Sequence, residues 1–428
     1  MKAAFIITVG AIIGITLITG CGDTAKEAGT VDVVGAIANP TELKVSDLGK
    51  TITYVPLATT DSSLVGQSWG VTVTDDLALV RNSGSIMALG TTGNGVGVMA
   101  FSLADGRYLN HVGHGGQDGE AYMLPFFTVD TKTNILTFDA ANDKRVKYSG
   151  DGRFLGTYPK HIISASTPRP TIVDDTIGIT ALQNLPGQGD PYLSIIFTSE
   201  SGRLLDSIQI VSAENPSLMT FFSIDGGMTF DTFDGFIPHS QAGGMAFIQQ
   251  GKPSLYRSPA PSLWSVGNEY HALMEFTDTI YSVAMNRAPE ATLIFDMGGQ
   301  GYSPADNGKR DMTDKDLMIG EIIESPSTLI FGVSKGWNKK DNAFIGLYDK
   351  KSGTTRATKA SNGFVDDLGG FMPFFPVTTT PDGRYVGIIT QEDIAKWMEE
   401  HPEAKVPESL QEIVDSEEEP NPVLVIVK

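Results

Sequence analysis

The tightest constraint on this chain is a hairpin that recurs. Residues 101–122 read FSLADGRYLNHVGHGGQDGEAY: an alternating run, an Asp105-Gly106 pair, a second alternating run, and a glycine-rich loop closed by Glu120 and Tyr122. Asp-Gly between two alternating runs is the strongest short-range hairpin signal, because Gly takes a positive φ without steric cost. The same turn returns 46 residues later at Asp151-Gly152 and, with Ser for Asp, 50 residues after that at Ser201-Gly202. A period of this size carried by strand–turn–strand units implies a β-propeller or another repeat array.

The remaining segments fit that period. They are short, rich in β-branched and aromatic residues, and bounded by Gly, Asp, Asn or Pro, so neither their length nor their turn density suits helices. The spacing predicts a first blade from 69–73, 77–80, 96–102 and 108–112, a second from 125–129, 135–138, 145–148 and 154–158, and a third from 171–173, 177–179, 193–198 and 204–210. The fourth is less regular, with strands expected in 221–236, 243–249, 275–283 and 291–297 and long rim loops around Pro238, Pro253 and Pro259 to Pro261. The fifth takes 320–324, 328–333, 343–348 and 354–358, turning at Ser352-Gly353. Near the end, 372–378 and 384–389 flank Pro381-Asp382-Gly383, and 423–427 is a last strand. Between them 391–415 has a helical pattern, with Ile394, Trp397 and Met398 as its apolar stripe and Asp393 in its first turn. Three strands are one short of a blade, so 52–57 is expected to supply the fourth and close the ring, removing exposed sheet edges. The predicted fold is all-β: a six-bladed β-propeller whose last blade is closed by the N-terminal strand, with one helix near the C-terminus.

The first twenty residues read as an export signal. Lys2 gives a charged start, 3–18 is apolar apart from Gly and Thr, and Ile18-Thr19-Gly20-Cys21 places small residues before a cysteine. This resembles the lipobox of a bacterial lipoprotein, cleaved before Cys21, whose thiol and new amino group are then acylated. As a membrane span the core is short and glycine-rich. Cys21 is the only cysteine, so no disulfide or thiolate metal site can form. The expected organisation is a signal peptide over 1–20, a flexible tether over 21–42, small and polar in composition, and the propeller over 43–428. The partner this implies is a membrane, reached through the lipid at Cys21, in the envelope of a Gram-negative bacterium; the outer membrane is favoured and its face left open. Asp and Glu number 51 against 31 Lys and Arg, a formal charge of −20, and no Lys/Arg cluster is present. Nucleic acid is therefore not an expected partner.

Three stretches carry a family resemblance. Residues 56–66, PLATTDSSLVG, stand where the six-bladed β-propeller lipoproteins of Bacteroides-type bacteria have a strand like I.LETTDDSLIG. Residues 112–122, VGHGGQDGEAY, are similar to their loop IGRRGQGPGEY, with Asp118 in place of the Gly-Pro pair and Ala121 inserted before Tyr122. Residues 277–281, TDTIY, are similar to a strand NDTIY. The resemblance covers most of the chain beyond the tether, and the family is related in architecture to NHL-repeat and TolB-like propellers. It implies an envelope lipoprotein, and it draws attention to His114, Gln117, Glu120 and Tyr122 of the glycine-rich loop as candidate ligand-binding residues.

No catalytic constellation is local. The six histidines, His111, His114, His161, His239, His271 and His401, form no HxxxH or HExxH pair. No GxxxxGK[ST] occurs, and 90–97, GTTGNGVG, lies between strands with no helix after it. Asp311, Asp314 and Asp316, and the doublets Asp75-Asp76, Asp174-Asp175 and Asp366-Asp367, could suggest calcium, but the spacing is wrong for an EF-hand and the doublets fall where turns need Asp. Phe126, Phe127, Phe221, Phe222, Trp264, Trp337 and 371–375 are aromatics for inter-blade packing or for a sugar- or peptide-binding rim. The expectation is a binding or scaffold module for a glycan or envelope protein, with no metal and no cofactor. The alternative is a lactonase or lyase acting on sugar derivatives, which needs three or more Asp, Glu, Asn or His side chains converging on a metal in the channel.

Overall fold

The computed structural model describes residues 28–66, 69–82, 96–159, 170–183, 192–211, 228–240, 242–249, 252–307, 310–337 and 340–428. Six antiparallel four-stranded units form the ring. Blade 1 comprises Trp69–Val73, Leu77–Asn82, Gly97–Ser102 and Tyr108–His111; blade 2 comprises Phe127–Asp130, Ile135–Ala140, Lys144–Ser149 and Phe154–Pro159. Blade 3 comprises Ile172–Asp174, Ile177–Gln183, Tyr192–Ser199 and Leu204–Val211; blade 4 comprises Leu263–Val266, Glu269–Leu273, Thr279–Val283 and Glu290–Asp296. Blade 5 comprises Leu317–Glu324, Thr328–Lys335, Ala343–Asp349 and Thr354–Lys359. Blade 6 takes Pro376–Thr379, Tyr385–Ile389 and Val423–Val427 from the C-terminal region and Ile52–Pro56 from the N-terminal region. The last two pair antiparallel from Ile52 opposite Val427 to Pro56 opposite Val423, which is the closure the strand count required.

Apolar faces stacked between neighbouring blades hold the ring together. Val55, Val386 and Leu424 of blade 6 pack on Val71, Val80 and Phe101 of blade 1. Leu79 and Ala100 of blade 1 pack on Leu136 and Phe138 of blade 2. Blades 2 and 3 meet through polar contacts, with Lys132 Nζ 2.9 Å from Asp174 and the Asp175 amide donating to Asp130 at 3.2 Å. Ile195 and Phe197 of blade 3 lie directly on Ala272 and Val283 of blade 4. Blade 4 packs on blade 5 through Phe295 and Phe331, and blade 5 on blade 6 through Ile345 and Val425.

Because blades 3 and 4 touch, the three-stranded sheet between them in sequence, Met228–Asp234, Gly243–Gln249 and Lys252–Arg257, stands outside the ring. It is pinned by Tyr256, whose backbone N–H and C=O pair with the Asn307 side chain, both at 2.9 Å, and whose ring lies edge-on to Tyr302. This corrects the expected fourth blade. The strands around 228–249 belong to the insert, and the innermost blade-4 strand is Leu263–Val266, where no strand was expected. Residues 221–227 lie outside the described residues.

Two further differences concern the ends. Gly29–Asp32 is a strand added in parallel to the outer edge of blade 4, and the helix Val33–Ala38 follows it, capped by Asp32 on the Gly35 amide at 2.8 Å. Val31 and Val33 are fully buried. The docked chain thus begins at Gly29, within the stretch expected as tether, because the apolar Val31, Val33 and Ile37 find a surface on blades 4 and 5. The expected helix over 391–415 is broken into Gln391–Glu400, a 3-10 turn Glu408–Leu410, and Gln411–Asp415. Pro402 and Pro407, which lack the amide a helix interior needs, stand in the gap. Among the described residues, no helix is long and apolar enough to cross a membrane.

Candidate functional site

The two faces of the ring differ. On one, the turns joining first to second and third to fourth strands are at most six residues long. On the other, the short links 141–143, 274–278 and 336–342 stand beside long connections at 57–68, 83–96, 112–126, 160–171, 184–191, 212–262 with the inserted sheet, 297–316, 360–375 and 390–422. In propellers such connections carry variable chemistry on a rigid frame. We call these the tight-turn face and the long-loop face.

The insert's first hairpin reaches across the long-loop face. Phe236 and Ile237 are buried in the cluster between blades 5 and 6, and the Ile237 amide donates to Glu321 Oε1 on the innermost strand of blade 5 at 3.2 Å. Glu321 is 3% exposed, and burial pushes its carboxyl up to about 7 despite the backbone donors around it. Two residues on, His239 adopts a left-handed backbone (φ 58°) and bonds Asp393 Oδ2 at 2.7 Å through Nε2. Asp393 also accepts from the Thr390 amide and hydroxyl, while Thr390 accepts from the Asp393 amide, a reciprocal cap on the helix Gln391–Glu400. Burial opposes ionisation of Asp393, but the His239 and Thr390 bonds win and hold it below the usual carboxylate range. The other side of His239 stacks on Trp69, the first residue of blade 1, with ring centroids 6.2 Å apart and planes at 21°. One hairpin tip thereby ties blades 5, 6 and 1.

Beside it opens a cavity of about 980 Å³ lined by Trp69, His239, Asp341, Lys359, Phe375 and Lys396 among others. Lys359 Nζ sits 4.2 Å over the Phe344 ring and 3.3 Å from the Asp341 carbonyl oxygen. On a chain of net charge −20 this cavity combines two ammonium groups, a carboxylate and aromatic faces. That combination suits a polar, ring-bearing ligand, whose hydroxyls or anionic groups pair with the charges while its apolar face stacks.

The glycine-rich loop lies on the same face but has a different construction. His114 Nε2 bonds Asp118 Oδ2 at 2.8 Å, and Asp118 Oδ1 accepts the amides of Glu120 and Ala121 at 2.9 and 3.0 Å. Asp118 therefore makes its own turn where related loops have Gly-Pro. The loop is latched to blade 2 by the Tyr148 hydroxyl on the Glu120 carbonyl at 2.7 Å and by Thr157 on the Gly119 carbonyl at 3.1 Å. His114, Gln117 and Glu120 are exposed. Tyr122 is a core residue, 1% exposed and stacked on Phe138 at 4.5 Å, so it supports the loop from below. Met123, Leu124 and Phe126 extend the loop as an exposed apolar run.

The acidic groups considered for calcium make turns instead. Asp316 accepts twice from Arg310 at 2.8 Å and again from the Thr313 amide and hydroxyl, and these bonds hold it at about 2. Asp366 accepts the amides of Leu368, Gly369 and Phe371, and Asp75 accepts the Asp382 amide. Among the described residues, no group of three His, Cys, Asp or Glu side chains is placed to hold a metal. Of the aromatics, Phe371 and Phe374 are core, Phe375 lines the cavity, Trp264 and Trp337 are partly buried, and Phe126 is exposed. Phe221, Phe222, His161 and residues 83–95, which include most of the run 90–97, lie outside the described residues. Sequence reasoning missed the His239–Asp393 and Trp69 grouping, whose members are 154 and 170 positions apart. The only local signal for it was Asp393 in a helix first turn.

Residues 28–428 match one family model along their whole length, that of a domain of unknown function, DUF4934. The chain belongs to the DUF4934 family. No curated protein matches this DUF4934 chain. Among solved structures it is similar to a Bacteroides fragilis protein whose name marks it as exported, at 17% identity and a TM-score of 0.53, over 94% of this chain and 98% of that one. A DUF4221 family member from Bacteroides vulgatus superposes more loosely, at 7% identity and a TM-score of 0.36, over 91% of this chain and 97% of that one. At this level of identity, the first likeness speaks to the fold of the DUF4934 chain.

Proposed function

We propose that this chain is an exported, lipid-anchored β-propeller that serves as a binding or scaffold module of the Gram-negative cell envelope, holding a glycan or an envelope protein on its long-loop face. The observation that carries the reading is the cavity beside the insert's hairpin, where Trp69, Lys359, Lys396 and Asp341 meet on the face that carries the long connections. The lipobox ending at Cys21 and the exported name of the Bacteroides fragilis relative support the envelope setting. The exposed run Met123, Leu124 and Phe126 beside His114, Gln117 and Glu120 offers a second contact area for a protein partner on the same face.

The anchor also sets an orientation. The outer strand of blade 4 runs from the tight-turn face to the long-loop face, and Gly29–Asp32 runs parallel to it, so Gly29 starts on the tight-turn side. Seven residues lie between Cys21 and Gly29, and the eight steps of chain reach at most about 28 Å. The tight-turn face is held towards the bilayer and the cavity points away from it.

The test is a glycan array and an envelope pull-down with the mature chain in detergent, beside Trp69→Ala and Lys396→Glu. Retention of a defined glycan or protein that both variants weaken at least tenfold is the expected result; a ligand bound equally by all three chains overturns the assignment of the site. Cys21→Ser should move the chain from the membrane to the soluble fraction. The lactonase or lyase alternative requires three or more Asp, Glu, Asn or His side chains converging on a channel metal, and metal-dependent turnover of a sugar lactone or polysaccharide by the mature chain would favour it instead.

A further inference from the structure

On the tight-turn face a second cleft, of about 860 Å³, opens between blades 4 and 5. At its floor, Glu324 carries a fully buried carboxylate. It accepts from the Trp264 indole N–H at 2.7 Å, from His271 Nδ1 at 2.8 Å, and stands 2.6 Å from Lys350 Nζ. With Nδ1 engaged by Glu324, Nε2 is the ring nitrogen left to the cleft. His271 is 5% exposed, its Nε2 has no hydrogen-bond partner among the described residues, and its ring lines the cleft. The carboxylate of Glu269, two residues earlier on the same strand and so on the same face, stands 3.5 Å from it.

A buried imidazole nitrogen without a hydrogen-bond partner and a carboxylate oxygen 3.5 Å from it form a pair that one cation could bridge. Donor bonds of about 2.0–2.2 Å at a tetrahedral angle place an imidazole nitrogen and a carboxylate oxygen about 3.4 Å apart, which is the separation found. A buried carboxylate on the far nitrogen is the arrangement that orients a metal-bound imidazole and raises its basicity. Imidazole nitrogen selects zinc and its neighbours over calcium and magnesium. We propose that His271 and Glu269 bind a transition-metal dication, Zn2+ by preference, oriented by Glu324, with water filling the remaining positions. The site is on the opposite face from the candidate binding cavity and does not depend on it.

The test is a calorimetric titration of the full mature chain in detergent with Zn2+ alone, with histidine nitrogen NMR alongside. One saturable site is expected, weakened at least tenfold by Glu269→Gln, 10–100-fold by Glu324→Gln, and abolished by His271→Gln. The NMR should show His271 as the Nδ1–H tautomer, with Nε2 shifting on metal addition. Glu269 is largely exposed, so Glu269→Gln decides the matter should the buried variants not fold. No saturable binding, equal binding by Glu269→Gln, or an Nε2–H tautomer overturns the proposal.

Discussion

Single side chains carry the most direct tests of this architecture. Glu321 has a folded-state pKa of about 7 against an ordinary 4.5. Between those values the native chain binds more protons than the unfolded one, so stability falls as pH rises through this window and is level above it. The size of the effect is about 3 kcal/mol. Glu321→Gln keeps an acceptor for the Ile237 amide without the charge. It should therefore lose little at pH 5 and gain several degrees of Tm over wild type at pH 8; identical pH profiles for the two chains would refute the role given to burial. Glu275, also raised to about 7 by burial against the pull of Arg257, adds a slope of the same sign that both chains retain. A second pair isolates turn geometry. Gly106 has φ 72°, and a Cβ there would lie 1.9 Å from the Pro56 carbonyl oxygen. Gly267 has φ 59° with nothing within 4 Å. Gly106→Ala should cost several kcal/mol and Gly267→Ala about 1 kcal/mol in urea unfolding, since only the first adds a collision to the left-handed backbone.

Elements show which parts of the fold could be read in advance. The turns at Gly106, Gly152, Gly202 and Gly353 all join the third and fourth strands of a blade with positive φ, which is why a local dipeptide revealed the period. Blade 4 turns through Asn286 (φ 60°) instead, and there the reading slipped. The inserted sheet has the same alternation as a blade, and what excludes it from the ring is the contact of Ile195 and Phe197 with Ala272 and Val283, which no local pattern encodes. The candidate sites were hidden for the same reason: His239 with Asp393, and His271 with Glu324, are pairs made by packing elements distant in sequence. The N-terminal strand was missed because Gly, Ala and Thr around it diluted three buried apolar residues. Its contribution can be measured. Val31→Ala should cost about 2 kcal/mol and make 28–42 the first region cut in limited proteolysis, with blades 1 to 3 unaffected at that stage.

For the whole molecule, the organising facts are closure and asymmetry. Pairing Ile52–Pro56 with Val423–Val427 joins the two ends of the domain, so blade 6 cannot form until most of the chain has been made. Lys428 lies past the last strand, and its carbonyl still accepts the Lys50 and Thr51 amides, which makes the C-terminal strand as necessary as any interior one. Deleting 423–428 should leave a chain that fails to reach the native Tm and exposes its blade 1 and blade 6 cores to a hydrophobic dye. The proposed orientation is also checkable at this scale: in vesicles, a fluorophore at Ser352 on the tight-turn face should be quenched by lipid-borne spin labels and one at Met123 should not. The parallel strand Gly29–Asp32 has a mechanical consequence as well. Tension arriving from an anchored N-terminus would pull along the axis of this strand and load its bonds to Glu290–Asp296 in shear, all at once, instead of peeling them one by one. A propeller tethered this way would resist being dragged open by a load on its far face and would transmit that load through blade 4 into the ring.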